Sequence, residues 1–214
     1  MANVYQNYHQ GNVDFMKSKT RENLMRAFAG ESQARNRYTF AASAARKEKL
    51  EVVARVFEFT ASQEKAHAKV FYDLLSPGAG KNIAIDGNYP VDISDKALDL
   101  LRAAQHNEYE EHEHDYAAFA EIAHREGFDL IGGQFELIAQ IEKTHGDRFG
   151  RFADLLEQGK LFGQDGQQTV WMCLNCGEIV TSSLAPQVCP VCRHGQDYFI
   201  RLDLAPFVGT GCTS

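Results

Sequence analysis

The chain has 214 residues, 44% of them hydrophobic, with a formal net charge of −7 and a pI near 5.6. That apolar share is ample for a core, while the acidic balance and the lack of any Lys/Arg cluster argue against a nucleic-acid binder. No apolar run is long enough to span a bilayer, and Met1 to Met16 lacks the apolar segment of a secretory signal, so a soluble cytoplasmic protein is the simplest expectation.

Helical periodicity predicts a first helix over residues 20–47, with Thr20 as N-cap and Glu22 in the first turn. Its inward stripe of Leu24, Ala27, Phe28 and Tyr38 contains one glutamate, Glu31. A second helix over 50–75 carries Phe57, Thr60, Ala61, Glu64, His67, Ala68 and Phe71, and stops before Ser76-Pro77-Gly78. Residues 76–93 show no helical period. So long a connection is unusual in a compact unit and fits a chain that travels the length of a bundle before its next helix. Ser94 is the expected cap of a third helix that reaches residue 126 and ends at Gly127; Glu108 lies in it among Leu101, Ala104, Phe119 and Ile122. A fourth helix, over 128–158 with Gly159 as its C′ residue, carries Phe135, Ile138, Ala139, Glu142, His145, Gly146 and Phe149.

The second and fourth helices repeat each other at a distance of 78 residues, and both contain Glu-x-x-His. Glu31 precedes Glu64 by 33 residues and Glu108 precedes Glu142 by 34, so the unit is a helix with Glu, a turn, and a helix with Glu-x-x-His, used twice. Residues three apart share a helix face, and a carboxylate and an imidazole within an apolar stripe are costly to bury unless something binds them. A lone Glu-x-x-His is usually a solvated face; duplication with matching Phe stripes reverses that. One Glu from each of two helices and Glu-x-x-His from each of the others is the donor set of a carboxylate-bridged di-iron or di-manganese site in a four-helix bundle. Glutamates bridge and neutralise the ions, and neutral imidazoles cap the ends.

All five cysteines fall in the last 42 residues, beyond a glycine- and glutamine-rich linker over 160–168. Cys173-Leu174-Asn175-Cys176-Gly177 and Cys189-Pro190-Val191-Cys192 form two CxxC knuckles, flanked by expected strands over 169–172 and 198–202. This spacing is a strong signal for a tetrahedral four-cysteine site, holding zinc or iron. Gly177 suits a tight turn aiming backbone N–H groups at sulfur, and Trp171, Tyr198 and Phe199 are candidates for the apolar shell around it. A structural zinc ribbon is the plainer reading; beside a di-iron bundle, a one-electron iron centre is the more useful one. The expected division is a bundle over 1–160 and a small metal domain over 169–208, with a loose tail from residue 206 in which Cys212 is an exposed thiol.

From about residue 18 to 204 the chain resembles a rubrerythrin: a mainly α, ferritin-like antiparallel four-helix bundle with one long crossover, followed by a small rubredoxin-like domain of short strands and loops. The residues that carry this are Gly30-Glu31-Ser32-Gln33-Ala34 with Tyr38, Glu64-x-x-His67, Glu108-x-x-Glu111 with Tyr116, Glu142-x-x-His145 and the two knuckles. The resemblance implies two Fe ions held by Glu31, Glu64, His67, Glu108, Glu111, Glu142 and His145, and a third held by Cys173, Cys176, Cys189 and Cys192. It implies hydrogen bonds from Tyr38 and Tyr116 to ligand carboxylates. Glu111, where the first repeat has Ala34, would be a seventh ligand that exchanges with His67 as the iron changes oxidation state. His112, four residues after Glu108, also falls near the inward face and is the alternative, whereas His106, Glu110, Glu113 and His114 are expected to be solvated. The implied activity is reduction of hydrogen peroxide in oxidative-stress defence, in a head-to-tail homodimer or a higher homo-oligomer. Electrons would come from an NADH-linked oxidoreductase, directly or through rubredoxin. Iron storage, a non-catalytic zinc-ribbon interaction module and a dioxygen-reducing oxidase are the competing readings.

Overall fold

The computed structural model describes residues 13–163 and 166–206; most of the polar N-terminal stretch, the tail beyond Pro206 and Cys212 lie outside the described residues. Ser18, not Thr20, caps α1 (Lys19–Lys47), its Oγ accepting the Arg21 N–H at 3.0 Å. Thr20 is buried, and its N–H and hydroxyl donate to Glu126 Oε2 at 2.8 and 2.6 Å while the Lys19 N–H donates to Glu126 Oε1 at 3.0 Å. A carboxylate from more than a hundred residues away thus satisfies the N–H groups that a first helical turn leaves free, which moves the cap away from the local pattern.

α1 turns through Lys49 (φ 59°) into α2 (Glu51–Leu74), after which a short 3₁₀ turn (Ser76–Gly78) opens the helix-free crossover. The third helix begins at Ala97, not at Ser94. Glu48 Oε2 takes the Ala97 N–H, and Ser94 Oγ accepts from Lys96 N–H and donates to Asp99 in the turn before it. That helix is also not the unbroken α-helix its periodicity suggests. α3 (Ala97–Glu110) passes through one π turn (Glu111–Asp115) into α4 (Tyr116–Arg125), the Tyr116 N–H bonding the Glu111 carbonyl five residues back. Gly127 (φ 83°) ends it, and α5 (Asp129–Glu157) completes the bundle before Gly159 (φ 66°). No helix among the described residues is long and apolar enough to cross a membrane.

α1 packs on α2, and α3 and α4 pack on α5, so two helical hairpins face each other. Their apolar stripes form two clusters, one around Tyr38, Phe57, Leu101 and Phe149 and the other around Leu24, Phe71, Tyr116 and Phe135. The sequence repeat becomes a near-twofold arrangement of rings. Phe57 meets Phe149 with centroids 5.2 Å apart, Phe71 meets Phe135 at 5.2 Å, and a tyrosine flanks each pair, Tyr38 at 6.0 Å from Phe57 and Tyr116 at 5.9 Å from Phe135. Along every helix, Glu31, Glu64, Glu108 and Glu142 sit between the residues of one cluster and those of the other, so the two Phe pairs enclose a polar layer.

The cysteine module is a three-stranded antiparallel sheet in the order β2-β1-β3, with β1 Thr169–Cys173, β2 Ile179–Ser182 and β3 Phe199–Arg201. The middle strand of that sheet pairs Trp171 with Val180 and with Arg201. β2 had no counterpart in the sequence reading. Trp171 is fully buried and donates its indole N–H to the Ser182 carbonyl at 3.1 Å. Ile200 reaches into the Tyr38–Phe57–Phe149 cluster, and Leu174 and Leu204 pack against it, so the module sits at that end of the bundle.

Candidate metal centres

Four helices bring Glu31, Glu64, His67, Glu108, Glu142 and His145 into the polar layer, and none is more than 7% exposed. Their donor atoms fall into two groups, each with all its atoms within 4.8 Å of one another: Glu31, Glu64, His67 and Glu142, and Glu64, Glu108, Glu142 and His145. Glu64 and Glu142 belong to both, so they are the residues that would be shared between two ions, and each group adds one glutamate and one histidine of its own. Both histidines face the carboxylates through Nδ1. That of His67 lies 3.1 Å from Glu64 and 2.9 Å from Glu142; that of His145 lies 2.9 Å from Glu64 and 2.8 Å from Glu142.

The electrostatics are those of buried carboxylates crowded around two imidazoles. Burial and then Glu142 and Glu64 raise Glu31 well above the carboxylate range, and burial with Glu64 lifts Glu108 to about 8. Burial works upward on Glu64 too, but His145 and His67 bring it down to about 2. Burial opposes protonation of the histidines, yet the glutamates around them hold His67 at about 9 and His145 at about 12. Two phenols complete the layer by crossing between helices: Tyr38 donates to Glu108 and Tyr116 donates to Glu31.

Buried polar groups are normally paired, so the orphans here are informative. Glu31 Oε2, Glu64 Oε1, Glu108 Oε2, both oxygens of Glu142 and both ring nitrogens of His145 are buried without a hydrogen bond of acceptable geometry. All belong to the two donor groups. Carboxylate oxygens and imidazole nitrogens this close, yet not aligned for hydrogen bonding, fit a pair of divalent ions between them.

In the second centre the four sulfurs also lie within 4.8 Å of one another, with Cys173–Cys192 and Cys176–Cys189 separations of 3.6 Å. Metal–sulfur bonds of about 2.3 Å at tetrahedral angles set edges of about 3.8 Å, so the cage fits one ion. The knuckles are copies of each other. The Cys173 N–H bonds the Glu178 carbonyl at 2.9 Å and the Cys189 N–H bonds the His194 carbonyl at 2.8 Å; the Gly177 and Arg193 N–H groups bond back to Cys173 and Cys189 at 2.9 and 3.1 Å. Gly177 (φ 79°) and Arg193 (φ 67°) hold the same left-handed position. Backbone N–H groups of Glu178 and His194 point at Cys176 and Cys192, and the latter contact lowers the Cys192 thiol to about 5.

The profile of the rubrerythrin family matches residues 22–153, and that of the rubrerythrin rubredoxin-like domain matches residues 171–200. The chain belongs to the rubrerythrin family. It is 44% identical to rubrerythrin of Porphyromonas gingivalis over 188 residues, covering 88% of this chain and 92% of that one. It is 38% identical to rubrerythrin of Nitratidesulfovibrio vulgaris over 190 residues, covering 87% and 96%. Among solved structures, nigerythrin in its mixed-valence state superimposes with a TM-score of 0.58 at 26% identity, over 90% of each chain. The family's di-iron carboxylate site corresponds to the two donor groups, and its rubredoxin-like iron site to the four-cysteine cage.

Glu111, the seventh carboxylate of the rubrerythrin pattern, stands outside both donor groups. It is half-buried in the π turn, on the wall of a cavity of ≈ 690 Å³ shared with Gly30, Tyr89, Asn107 and Tyr116. Burial, then Glu108 and Glu142, raise its carboxyl well above the usual range, with Arg37 opposing. His112 turns away from the ions' place: its Nδ1–H donates to the Ala139 carbonyl on α5 at 2.8 Å. His106, Glu110, Glu113 and His114 are exposed. Two features had no local signal in the sequence. Asp92 in the crossover accepts from Arg37 on α1 at 2.6 Å and from Asn107 on α3 at 2.7 Å. Arg148, three residues after His145, reaches across to Thr60 and Gln63 on α2 at 2.9 and 3.0 Å.

Proposed function

We propose that this chain is a peroxidase that reduces hydrogen peroxide to water, with electrons passed through its rubredoxin-like centre. The observation that carries this reading is the pairing of one bridged two-ion donor layer with one four-sulfur cage on a single bundle. When bound, the iron pair supplies the two electrons that, with two protons, convert H₂O₂ to two waters. Glu64 and Glu142, common to both donor groups, would hold the pair together, and Glu31 with His67 and Glu108 with His145 would hold its two ends. Glu111 and His67 would exchange as ligands, and whichever is released would carry a proton. Tyr38 and Tyr116 fix the outer oxygens of Glu108 and Glu31 so that the terminal carboxylates keep their orientation.

Cys173 and Cys189 are buried, whereas Cys176 is exposed, giving the cage one face toward an external donor such as rubredoxin or an NADH-dependent oxidoreductase. Val52 and Val56 on α2, eight to twelve residues before Glu64 and so about 12–18 Å from it along the helix, line a pocket together with Leu174 and Ile200 of the module. The linker over 160–168 is short, which favours relay to the di-iron site of a second subunit in a head-to-tail homodimer. The setting we propose is cytoplasmic defence against oxidative stress.

The test is stopped-flow oxidation of anaerobically reduced protein, following the visible ferric-thiolate band. Fast return of the band with peroxide and slow return with dioxygen is the expected result; equal rates would make it an oxidase, and no band at all would mean zinc in the cage. Cys173→Ser is expected to stop turnover from the external donor while leaving a single oxidation by peroxide intact.

A further inference from the structure

The two cross-bonds that close the polar layer also fix the register of α1 against the third helix. Tyr38 meets Glu108 and Tyr116 meets Glu31, so the helices run antiparallel with residues 31–38 alongside residues 116–108. On that scale Glu111 stands level with the stretch of α1 between Gln33 and Arg37. All three lie on the same seam. Gly30, Gln33 and Arg37 follow one another at helical spacing on α1, Asn107 and Glu111 do so on the third helix, and the crossover lies over both through Tyr89 against Gly30 and Asp92 between Arg37 and Asn107.

Two donors on this seam have no hydrogen-bond partner among the described residues. Arg37 gives Nε–H to Gln33 Oε1 at 2.6 Å and Nη1–H to Asp92 at 2.6 Å, which leaves its Nη2 buried and unpartnered. Gln33, having accepted from Arg37, keeps a buried and unpartnered Nε2. On the third helix, level with them by the register above, the Glu111 carboxylate makes no hydrogen bond among the described residues, lies outside the two donor groups on a cavity wall shared with Gly30 and Asn107, and feels the Arg37 charge. Unpaired buried N–H groups are costly, and a carboxylate is the acceptor that offsets them best.

We infer that Gln33 and Arg37 are positioning residues that form a docking pair for the Glu111 carboxylate, holding it off the metal pair in one of its two states. This rests on the reading of Glu111 as an exchanging ligand. Asp92 and Asn107 serve the pair by fixing the guanidinium, so the crossover has a part in the site although none of its own residues enters the donor groups.

An equilibrium redox titration of the iron-loaded protein tests this, using Gln33→Met and Arg37→Lys, which keep the charge, each with Glu111 present and with Glu111→Gln. An anionic ligand favours the ferric pair, so loss of the docking donors is expected to shift the ferric-to-ferrous ratio at a fixed applied potential toward ferric. A charge-assisted hydrogen bond corresponds to a shift of about ten-fold or more. The same substitutions should change nothing when Glu111 is Gln. An equal shift in both backgrounds, or none in either while Glu111→Gln alone moves the ratio, overturns the docking pair and leaves the exchange intact. No response to Glu111→Gln itself overturns the exchange and the pair together. Gln33→Met retains the Arg37–Asp92 bridge, and its melting curve against the parent separates a docking effect from a loss of packing.

Discussion

Tyr116 and Glu108 both face the interior of the bundle although eight residues separate them. Their counterparts in the first repeat, Tyr38 and Glu31, are seven apart. An α-helix turns about 100° per residue, so seven residues leave two side chains about 20° from alignment and eight leave them about 80° apart. The π turn over Glu111–Asp115 absorbs the additional residue, in keeping with the tendency of single π turns to occur at functional sites. It is also why Glu108 precedes Glu142 by 34 residues where Glu31 precedes Glu64 by 33.

Deleting the exposed Glu113 should therefore convert the third helix to a continuous α-helix and keep Tyr116 on Glu31. Iron content of two per bundle is expected to survive, and so is cooperative melting. Loss of one or both ions on elemental analysis would show that the π turn does more than correct the register.

Tyr38→Phe and Tyr116→Phe each leave a buried carboxylate oxygen without its donor. Each is expected to destabilise the metal-free protein by about 1–3 kcal/mol, and by similar amounts, because the two sites are related by the repeat. Chemical denaturation of the metal-free variants measures this. A clear inequality between them would mean that the two halves of the layer are not equivalent.

Metal binding should release protons. His67 and His145 are held at about 9 and about 12, against an ordinary value of 6.5, and so are protonated at pH 7 without metal. Ligation requires the neutral ring, and apparent affinity for ferrous ion should rise with pH through about 9, where His67 loses its proton, and keep rising beyond it because His145 holds its own to about 12, as chelator competition would reveal. The linkage to folding has the corresponding sign. Each raised histidine stabilises the metal-free fold fully below 6.5, and that contribution is lost as pH rises through 9 for His67 and 12 for His145. Glu64, lowered to about 2, contributes above its ordinary 4.5 and loses its contribution as pH falls toward 2. A metal-free protein whose melting temperature does not change between pH 7 and 10 would contradict this.

The two knuckles make a matched pair of backbone tests. A Cβ added at Gly177 meets nothing within 4 Å, yet φ is 79°. Gly177→Ala should cost about 1 kcal/mol from the left-handed backbone alone. Arg193 already bears that cost at φ 67°, so Arg193→Gly should be neutral or stabilise by up to about 1 kcal/mol. Thermal melting of the metal-loaded protein distinguishes the two, and a destabilised Arg193→Gly would show that its side chain, not its backbone, matters.

Much of this molecule follows from local pattern. The helical period places Glu31, Glu64, His67, Glu108, Glu142 and His145 on apolar faces, and the cysteine spacing defines a cage, because both depend on neighbours within a turn or a knuckle. Gly127 and Gly159 end their helices as left-handed residues for the same reason. What only the tertiary structure decided depends on helices meeting. Sharing of Glu64 and Glu142 between the two donor groups requires α2 and α5 to face each other across the layer. The crossing of Tyr38 to Glu108 and Tyr116 to Glu31, the capping of α1 by Glu126, and the tie of Asp92 to Arg37 and Asn107 span 15 to 107 residues of chain. Side-chain periodicity tells which face of a helix is buried, but not which face of another helix it will meet.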